Sequence, residues 1–162
     1  ELEVWMGRRW PSWALATLCL LPSAVETAHS HPFGLSHYTP VAGGVPGAAD
    51  LGMNRQFWGF TTGSLANWIT VKLPDGGSVW TCDTTAGAWA MMQRDGLIPA
   101  NVRAASSIGA ADLALVHHEA HFGEVDYQAW VAYGSTQPIF VLRYDGVPII
   151  SVYENPRTTG RD

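Results

Sequence analysis

Residues 31–59 (HPFGLSHYTPVAGGVPGAADLGMNRQFWG) constrain the fold of this chain more than any other stretch. They contain six glycines and three prolines, which interrupt the hydrogen-bond pattern of helices and strands, so no regular element is expected here. The stretch is also too aromatic for a flexible linker. We therefore predict an ordered connector over residues 29–60 that lies against a membrane surface or another domain. Tyr38 and Trp58 suit such a boundary because each combines an apolar ring with a polar tip.

An apolar segment precedes the connector. Residues 10–25 (WPSWALATLCLLPSAV) carry no charge and follow two arginines. As a helix they would be about 24 Å long, which is shorter than the roughly 30 Å hydrocarbon core of a bilayer. Three interpretations stay open: the end of a transmembrane helix over residues 1–28 with a cytoplasmic flank, a signal peptide that starts at Met6 and is cleaved near Ala28, and a buried core helix. No Lys or Arg follows until Arg55, so the charge asymmetry favours an extracytoplasmic side for the residues after a membrane helix, and a signal peptide would likewise export the remaining chain.

The composition narrows the range of partners. Charged residues make up 14% of the chain, well below the usual quarter of a soluble domain. The net charge is −5 and no basic cluster occurs, which argues against nucleic acid as a partner. Cys19 lies in the apolar segment and Cys82 in a predicted strand, so a disulfide between them is not expected.

Residues 61–156 show the pattern of a small α/β domain. Helical spacing follows the hydroxyl residues at 61–64 and stops at Pro74, and further helices are predicted after Asp83 or Thr84 and over residues 122–133. Strands are predicted over residues 78–82, 101–106 and 111–117. Two apolar runs flank Asp145-Gly146, the strongest hairpin signal in the chain, and Pro148 restricts the second strand to an edge or a bulge. The expected fold class is α/β: a small mixed sheet with helices and a C-terminal β-hairpin, followed by a tail over residues 157–162 whose last five residues (TTGRD) are expected to fray.

The densest group of chemically active side chains is His117, His118 and His121, with Glu119 between them. Three imidazoles and a carboxylate could bind zinc. The spacing is not that of the zinc proteases, in which both histidines share one helical face. The alternative is a polar loop between strand and helix in which His117 or His118 points inward and is satisfied by hydrogen bonds.

The connector supplies a second group of candidate residues. Its histidines could act as acid or base, but no nucleophile or carboxylate lies at a telling spacing. The glycines of VAGGVPGAAD are no phosphate loop, because the segment has no Lys and Pro46 removes an amide donor. No catalytic residue is therefore predicted. A structural role in the connector is expected for His31, Ser36, His37, Tyr38, Asn54 and Trp58.

The order of several motifs resembles the C-terminal part of bacterial family 39 glycosyltransferases, relatives of the protein O-mannosyltransferases. The resemblance rests on residues 31–39 (HPFGLSHYT), 43–48 (GGVPGA), 111–118 (ADLALVHH), 127–134 (YQAWVAYG) and 145–156 (DGVPIISVYENP). It covers roughly residues 10–156, and the order of the motifs carries more weight than any one of them. His37 and Thr39 depart from the aromatic residue and the Asn of the family pattern.

This resemblance implies a periplasmic domain that follows the last helix of a polytopic enzyme of the bacterial inner membrane. Such enzymes transfer sugar from a polyprenyl-phosphate donor, and their catalytic carboxylate lies in an early extracytoplasmic loop. The domain itself would be non-catalytic and would shape access of the acceptor, and the six connector residues named above would either lie on the acceptor side or be structural. Its implied partners are the lipid bilayer, the upstream membrane region, the polyprenyl-linked donor and an acceptor. Two alternatives remain: a secreted or membrane-surface binding module without enzymatic activity, and a small zinc-dependent hydrolase that uses the 117–121 histidines.

Overall fold

A computed structural model describes residues 11–158, and these residues fall into two compact units. The first unit ends at Gly34, and its helix α1 spans Ser12–Ser30. Between residues 11 and 158, no helix combines the length and the apolar character that crossing a membrane requires. The predicted end of a transmembrane helix includes residues 1–10, which lie outside the described residues, so it stays a prediction. The same holds for the fraying predicted in the tail, because residues 159–162 are not described.

The second unit begins at Leu35 and is built on one mixed sheet of five strands. The strands are β1 (Gly77–Thr81), β2 (Val102–Ala104), β3 (Leu113–His117), β4 (Phe140–Tyr144) and β5 (Val147–Glu154). Their order in the sheet is β2-β1-β3-β5-β4. β1 is parallel to both β2 and β3, whereas β5 is antiparallel to β3 and β4. The predicted α/β class, with a small mixed sheet closed by a C-terminal hairpin, is therefore confirmed.

Four α-helices accompany the sheet: α2 (Gly44–Asp50), α3 (Ala66–Lys72), α4 (Ala86–Arg94) and α5 (Val125–Tyr133). The expectation that the connector holds no regular element is wrong, because α2 lies within it. Pro46 is tolerated there since it falls in the first turn of α2, where the backbone N–H groups have no partner inside the helix. The cap of α4 also differs from the prediction: Thr85 accepts the hydrogen bond from the Ala88 N–H, rather than Asp83 or Thr84.

Apolar side chains cover both faces of the sheet. On one face, Leu65, Ile69 and Trp89 join strand residues such as Val79 in the larger core cluster. On the other face, Ala129 and Tyr133 of α5 pack with residues of β3 and β5. All five residues of β3 are consequently buried, as expected for a strand in the middle of a sheet with two covered faces.

The C-terminal hairpin forms at Asp145-Gly146, where both residues have positive φ, 47° and 79°. This is the geometry of the two-residue type I′ turn, and it matches the twist of the flanking strands. Pro148 lies at a bulge: Leu142 pairs with Ile150 and Arg143 with Pro148, so Ile149 is the extra residue. Pro148 also lies beyond the part of β5 that pairs with β3, which ends at Ile150, so the bulge and a locally free edge together accommodate this proline.

Candidate functional site

Polar and ionisable side chains gather where the parallel strands β1 and β3 end. Cys82 and Asp83 follow β1, His117 is the last residue of β3, and Glu119 comes two residues later. Neighbouring parallel strands bring their carboxyl ends to the same edge of a sheet, and ligands of open α/β sheets bind outside that edge. This polar edge of the sheet is therefore the candidate functional site.

Gln56 anchors the connector to this edge. It is completely buried, and its Nε2 donates to Asp83 Oδ2 at 3.1 Å and to Glu119 Oε1. Burial, followed by a hydrogen bond to Asp83, raises the pKa of Glu119 from 4.5 to about 7. The proton that Glu119 then holds relieves the repulsion between two neighbouring carboxyl groups. The part of the connector from Leu35 onward is thus an integral part of the second unit.

Backbone as well as side chains bring the connector close to the sheet. Gly59 has a φ of 62°, and a Cβ built on it would lie 2.5 Å from Thr84 Oγ1. Both the conformation and the close approach require glycine at this position. The connector therefore passes the end of β1 at a distance that no side chain would permit.

A chain of hydrogen bonds runs behind Gln56. Cys82 Sγ lies 3.4 Å from His117 Nδ1, and His117 Nε2 lies 2.8 Å from Thr62 Oγ1. Thr62 in turn shares a hydrogen bond of 2.6 Å with Thr84. In geometry, Cys82 occupies the place of a nucleophile, His117 that of a base, and Thr62 that of a residue that orients the base.

The electrostatics of this chain oppose nucleophilic catalysis. Burial raises the pKa of the Cys82 thiol to about 12 and lowers the pKa of His117 to about 4. Near neutral pH the pair is therefore a thiol and an uncharged imidazole, whereas an activated cysteine requires a thiolate. These hydrogen bonds satisfy polar groups that are buried. This agrees with the alternative in which the histidine region is a polar loop and His117 points inward.

The other two histidines of the predicted zinc group have partners of their own. His118 Nε2 lies 2.8 Å from Ser151 Oγ, and burial lowers the His118 pKa. His121 Nδ1 lies 3.3 Å from Glu119 Oε2, and the His121 ring packs against Phe122. No group of three or more His, Cys, Asp or Glu side chains arranged to hold a metal occurs in the described part of the chain. The zinc site stays a prediction.

The predicted connector residues mostly contact the domain or each other. His37 Nδ1 lies 2.9 Å from the Tyr144 hydroxyl, and Tyr38 Oη donates to the Asn54 carbonyl oxygen at 2.7 Å. Ser36 is fully buried, and among residues 11–158 its Oγ has no hydrogen-bond partner.

The remaining two predicted connector residues are exposed. Trp58 is 81% exposed, and His31 is an exposed residue of the first unit. The structure thus brings Tyr38 and Asn54 together and places His37 against Tyr144 of β4, whereas Trp58 takes no part in these contacts.

A cleft of about 210 Å³ opens beside this polar edge. One wall is formed by the end of α2 and the connector residues after it. The other is formed by residues from the end of β3 to the start of α5. It is lined by Ala49, Gly52, Met53, Arg55, His117, His118, Glu119, Ala120, Phe122, Gly123 and Asp126. Of the residues predicted from sequence, His117, His118 and Glu119 of the zinc group line it, and none of the connector candidates does.

Sequence reasoning missed Arg55, Gln56 and Asp83. One signal could have found Asp83: it stands directly after an apolar strand that is followed by a helix, at the position where α/β sheets place functional side chains. Compared with protein-family models, curated proteins and solved structures, the chain matches none.

Proposed function

We propose that this chain is the extracytoplasmic C-terminal domain of a bacterial membrane glycosyltransferase that uses a polyprenyl-phosphate sugar donor. The domain is non-catalytic and shapes acceptor access on the periplasmic side of the inner membrane. One observation carries the proposal: the connector, which the resemblance places directly after the last membrane helix, is fixed through Gln56 onto the polar edge of the sheet. A segment that leaves the membrane and forms one wall of a polar cleft is suited to guiding an acceptor.

The surface of α1 supports a membrane partner. Six of its large apolar side chains are exposed, from Leu15 at 50% to Trp13 at 71%. Exposed apolar groups concentrated on one helix indicate an apolar partner, either lipid or other helices. The upstream membrane region of the same protein and the bilayer would supply both.

The state of Cys82 and His117 supports a non-catalytic role. Both groups are uncharged near neutral pH, and Thr62 and Thr84 complete their hydrogen bonds. The reacting groups of the enzyme would then lie upstream of this domain.

The test begins with the reading frame upstream of Glu1. It should encode further apolar segments of about 20 residues each and an acidic extracytoplasmic loop. Vesicles that contain the whole protein should transfer sugar from a polyprenyl-phosphate donor, and Cys82→Ser should retain the wild-type kcat while Asp→Asn in that loop abolishes it. An initiator codon at Met6, or loss of kcat in a folded Cys82→Ser protein, would overturn the proposal.

A second candidate is a stand-alone binding module at a membrane surface. It is favoured by the exposed apolar side chains of the connector, among them Val41 at 98%, Leu51 at 74% and Trp58 at 81%. This candidate requires cleavage of a signal peptide near Ala28. N-terminal sequencing of exported protein tests it, and an intact N-terminus would exclude it.

A further inference from the structure

We infer that the cleft between α2 and the β3–α5 segment binds one neutral, polyhydroxylated ring, such as a single sugar residue of the acceptor. The inference rests on the proposed function for the identity of the acceptor. The residues that line the cleft determine the chemistry of the ligand.

The size of the cleft sets the size of the ligand. Sites for drug-sized molecules enclose roughly 300–1,000 Å³, whereas this cleft holds about 210 Å³. A single water molecule needs only about 10–15 Å³ of such volume, so the cleft accepts a ligand much larger than one water. A single ring with its hydroxyl groups fits such a space, and an extended oligosaccharide would place only one residue in it.

Arg55 provides the hydrogen-bond donors. Its side chain is half-buried in the wall of the cleft, and it makes no hydrogen bond or ion pair with any other residue that the structure describes. A guanidinium has five N–H donors in a rigid, planar arrangement. These donors are free to contact hydroxyl oxygens of a ligand.

Asp126 and His118 provide further hydrogen-bonding groups in the lining of the cleft. Asp126 Oδ1 accepts a hydrogen bond from the Tyr153 hydroxyl at 3.0 Å, which fixes the carboxylate, and within residues 11–158 its other oxygen has no partner. His118 Nε2 is engaged with Ser151 Oγ, and its second ring nitrogen donates or accepts according to the tautomer. Adjacent hydroxyl groups, each both donor and acceptor, match this combination.

The charges of the cleft select against simple ions. A small anion attracted by Arg55 would meet the carboxylate of Asp126, and a cation attracted by Asp126 would meet Arg55. The two side chains form no ion pair with each other within the described residues, so a neutral ligand can contact both. Phe122 and Met53 add apolar surface against which the C–H face of a ring can pack.

The experiment measures binding of methyl glycosides of mannose, glucose and galactose to the whole protein in detergent, by saturation-transfer NMR and calorimetry. We expect saturable binding of at least one glycoside, weakened about tenfold or more in Arg55→Gln and in Asp126→Asn, since each removes a charged hydrogen-bonding group. Asn can still accept the bond from Tyr153, so the wall should stay in place. Arg94→Gln and Asp95→Asn, which change exposed charges on and just after α4, are the matched controls and should bind like wild type.

Three results would overturn the inference: no saturable binding by folded protein, equal binding by the cleft variants and the controls, and binding of glycine or inorganic phosphate in place of the glycosides. The proposed function fails separately. Sugar transfer without glycoside binding in the cleft would refute only the inference, whereas glycoside binding by a protein with no upstream membrane region would refute only the glycosyltransferase assignment.

Discussion

Replacing Glu119 with Gln should change the pH dependence of stability in a defined way. Glu119 is 8% exposed and its pKa rises from 4.5 to about 7 in the folded protein, first through burial and then through Asp83. A raised folded-state pKa means that the folded protein holds the proton more tightly than the unfolded chain. The stability contributed is therefore complete below pH 4.5 and is lost as the pH rises through about 7.

The size of the effect follows from the shift. At about 1.36 kcal/mol per pKa unit, ionising Glu119 costs the folded protein about 3 kcal/mol. The glutamine side chain of the Glu119→Gln variant has nearly the same shape, keeps an oxygen for the Gln56 N–H and cannot ionise. The free energy of unfolding of Glu119→Gln, minus that of the wild type, should therefore increase by about 3 kcal/mol between pH of about 4 and about 8.

Urea unfolding followed by tryptophan fluorescence, at intervals across this pH range, measures the difference. His117 has the opposite dependence: its pKa falls to about 4, so its contribution is complete above pH 6.5 and is lost as the pH falls through about 4. Both proteins contain His117, so its contribution cancels in the subtraction. Glu124→Gln, which removes an exposed carboxylate from the same loop, is the control. A difference that stays constant with pH for Glu119→Gln would refute the reasoning that burial keeps this group protonated.

Three further predictions concern the connector, the thiol and the hairpin. Gln56→Met removes two hydrogen bonds to carboxyl groups and should lower the free energy of unfolding, measured in urea, by about 2–4 kcal/mol. The control Gln128→Met, at an exposed position, should leave it almost unchanged, and equal free energies of unfolding for the two variants would show that the anchor is unimportant. Cys82, whose pKa is raised to about 12, should react with iodoacetamide at pH 8 far more slowly in folded than in unfolded Cys19→Ser protein, and equal rates would contradict a buried thiol. Gly146→Ala places a side chain at a φ of 79° and should lower the free energy of unfolding by about 1–2 kcal/mol. The control is Gly109→Ala, where a Cβ meets no neighbour within 4 Å, and identical unfolding curves for the two variants would argue against strain in the turn.

Elements set by local chemistry could be predicted from the sequence. The Asp145-Gly146 turn, the helix that stops before Pro74 and the alternation of strands and helices all depend on residues that are close in the chain. The prediction misses helix α2 because it treats Pro46 as a helix breaker, although the first turn of a helix tolerates proline.

The polar edge could be predicted only in part, because its members meet through the fold. Gln56 is separated from Asp83 by 27 residues and from Glu119 by 63, and glutamine is mostly an exposed residue, so nothing local marks it as buried. The three histidines at 117, 118 and 121 lie close together in sequence and suggest a shared site, but in the structure each has its own partner. The cleft depends instead on Arg55 and Asp126, which no short motif connects.

The anchoring of the connector by residues far along the chain has a consequence for biosynthesis. A ribosome releases Gln56 well before Glu119, which follows 63 residues later, and domains generally form as units once their parts have emerged. Until then Gln56 can donate to Asp83 but not to Glu119, so burying its amide would leave one N–H group without a partner, which is costly. The connector therefore docks late, after β3 has taken its place in the sheet, and a nascent chain has no cleft until most of the domain has been translated.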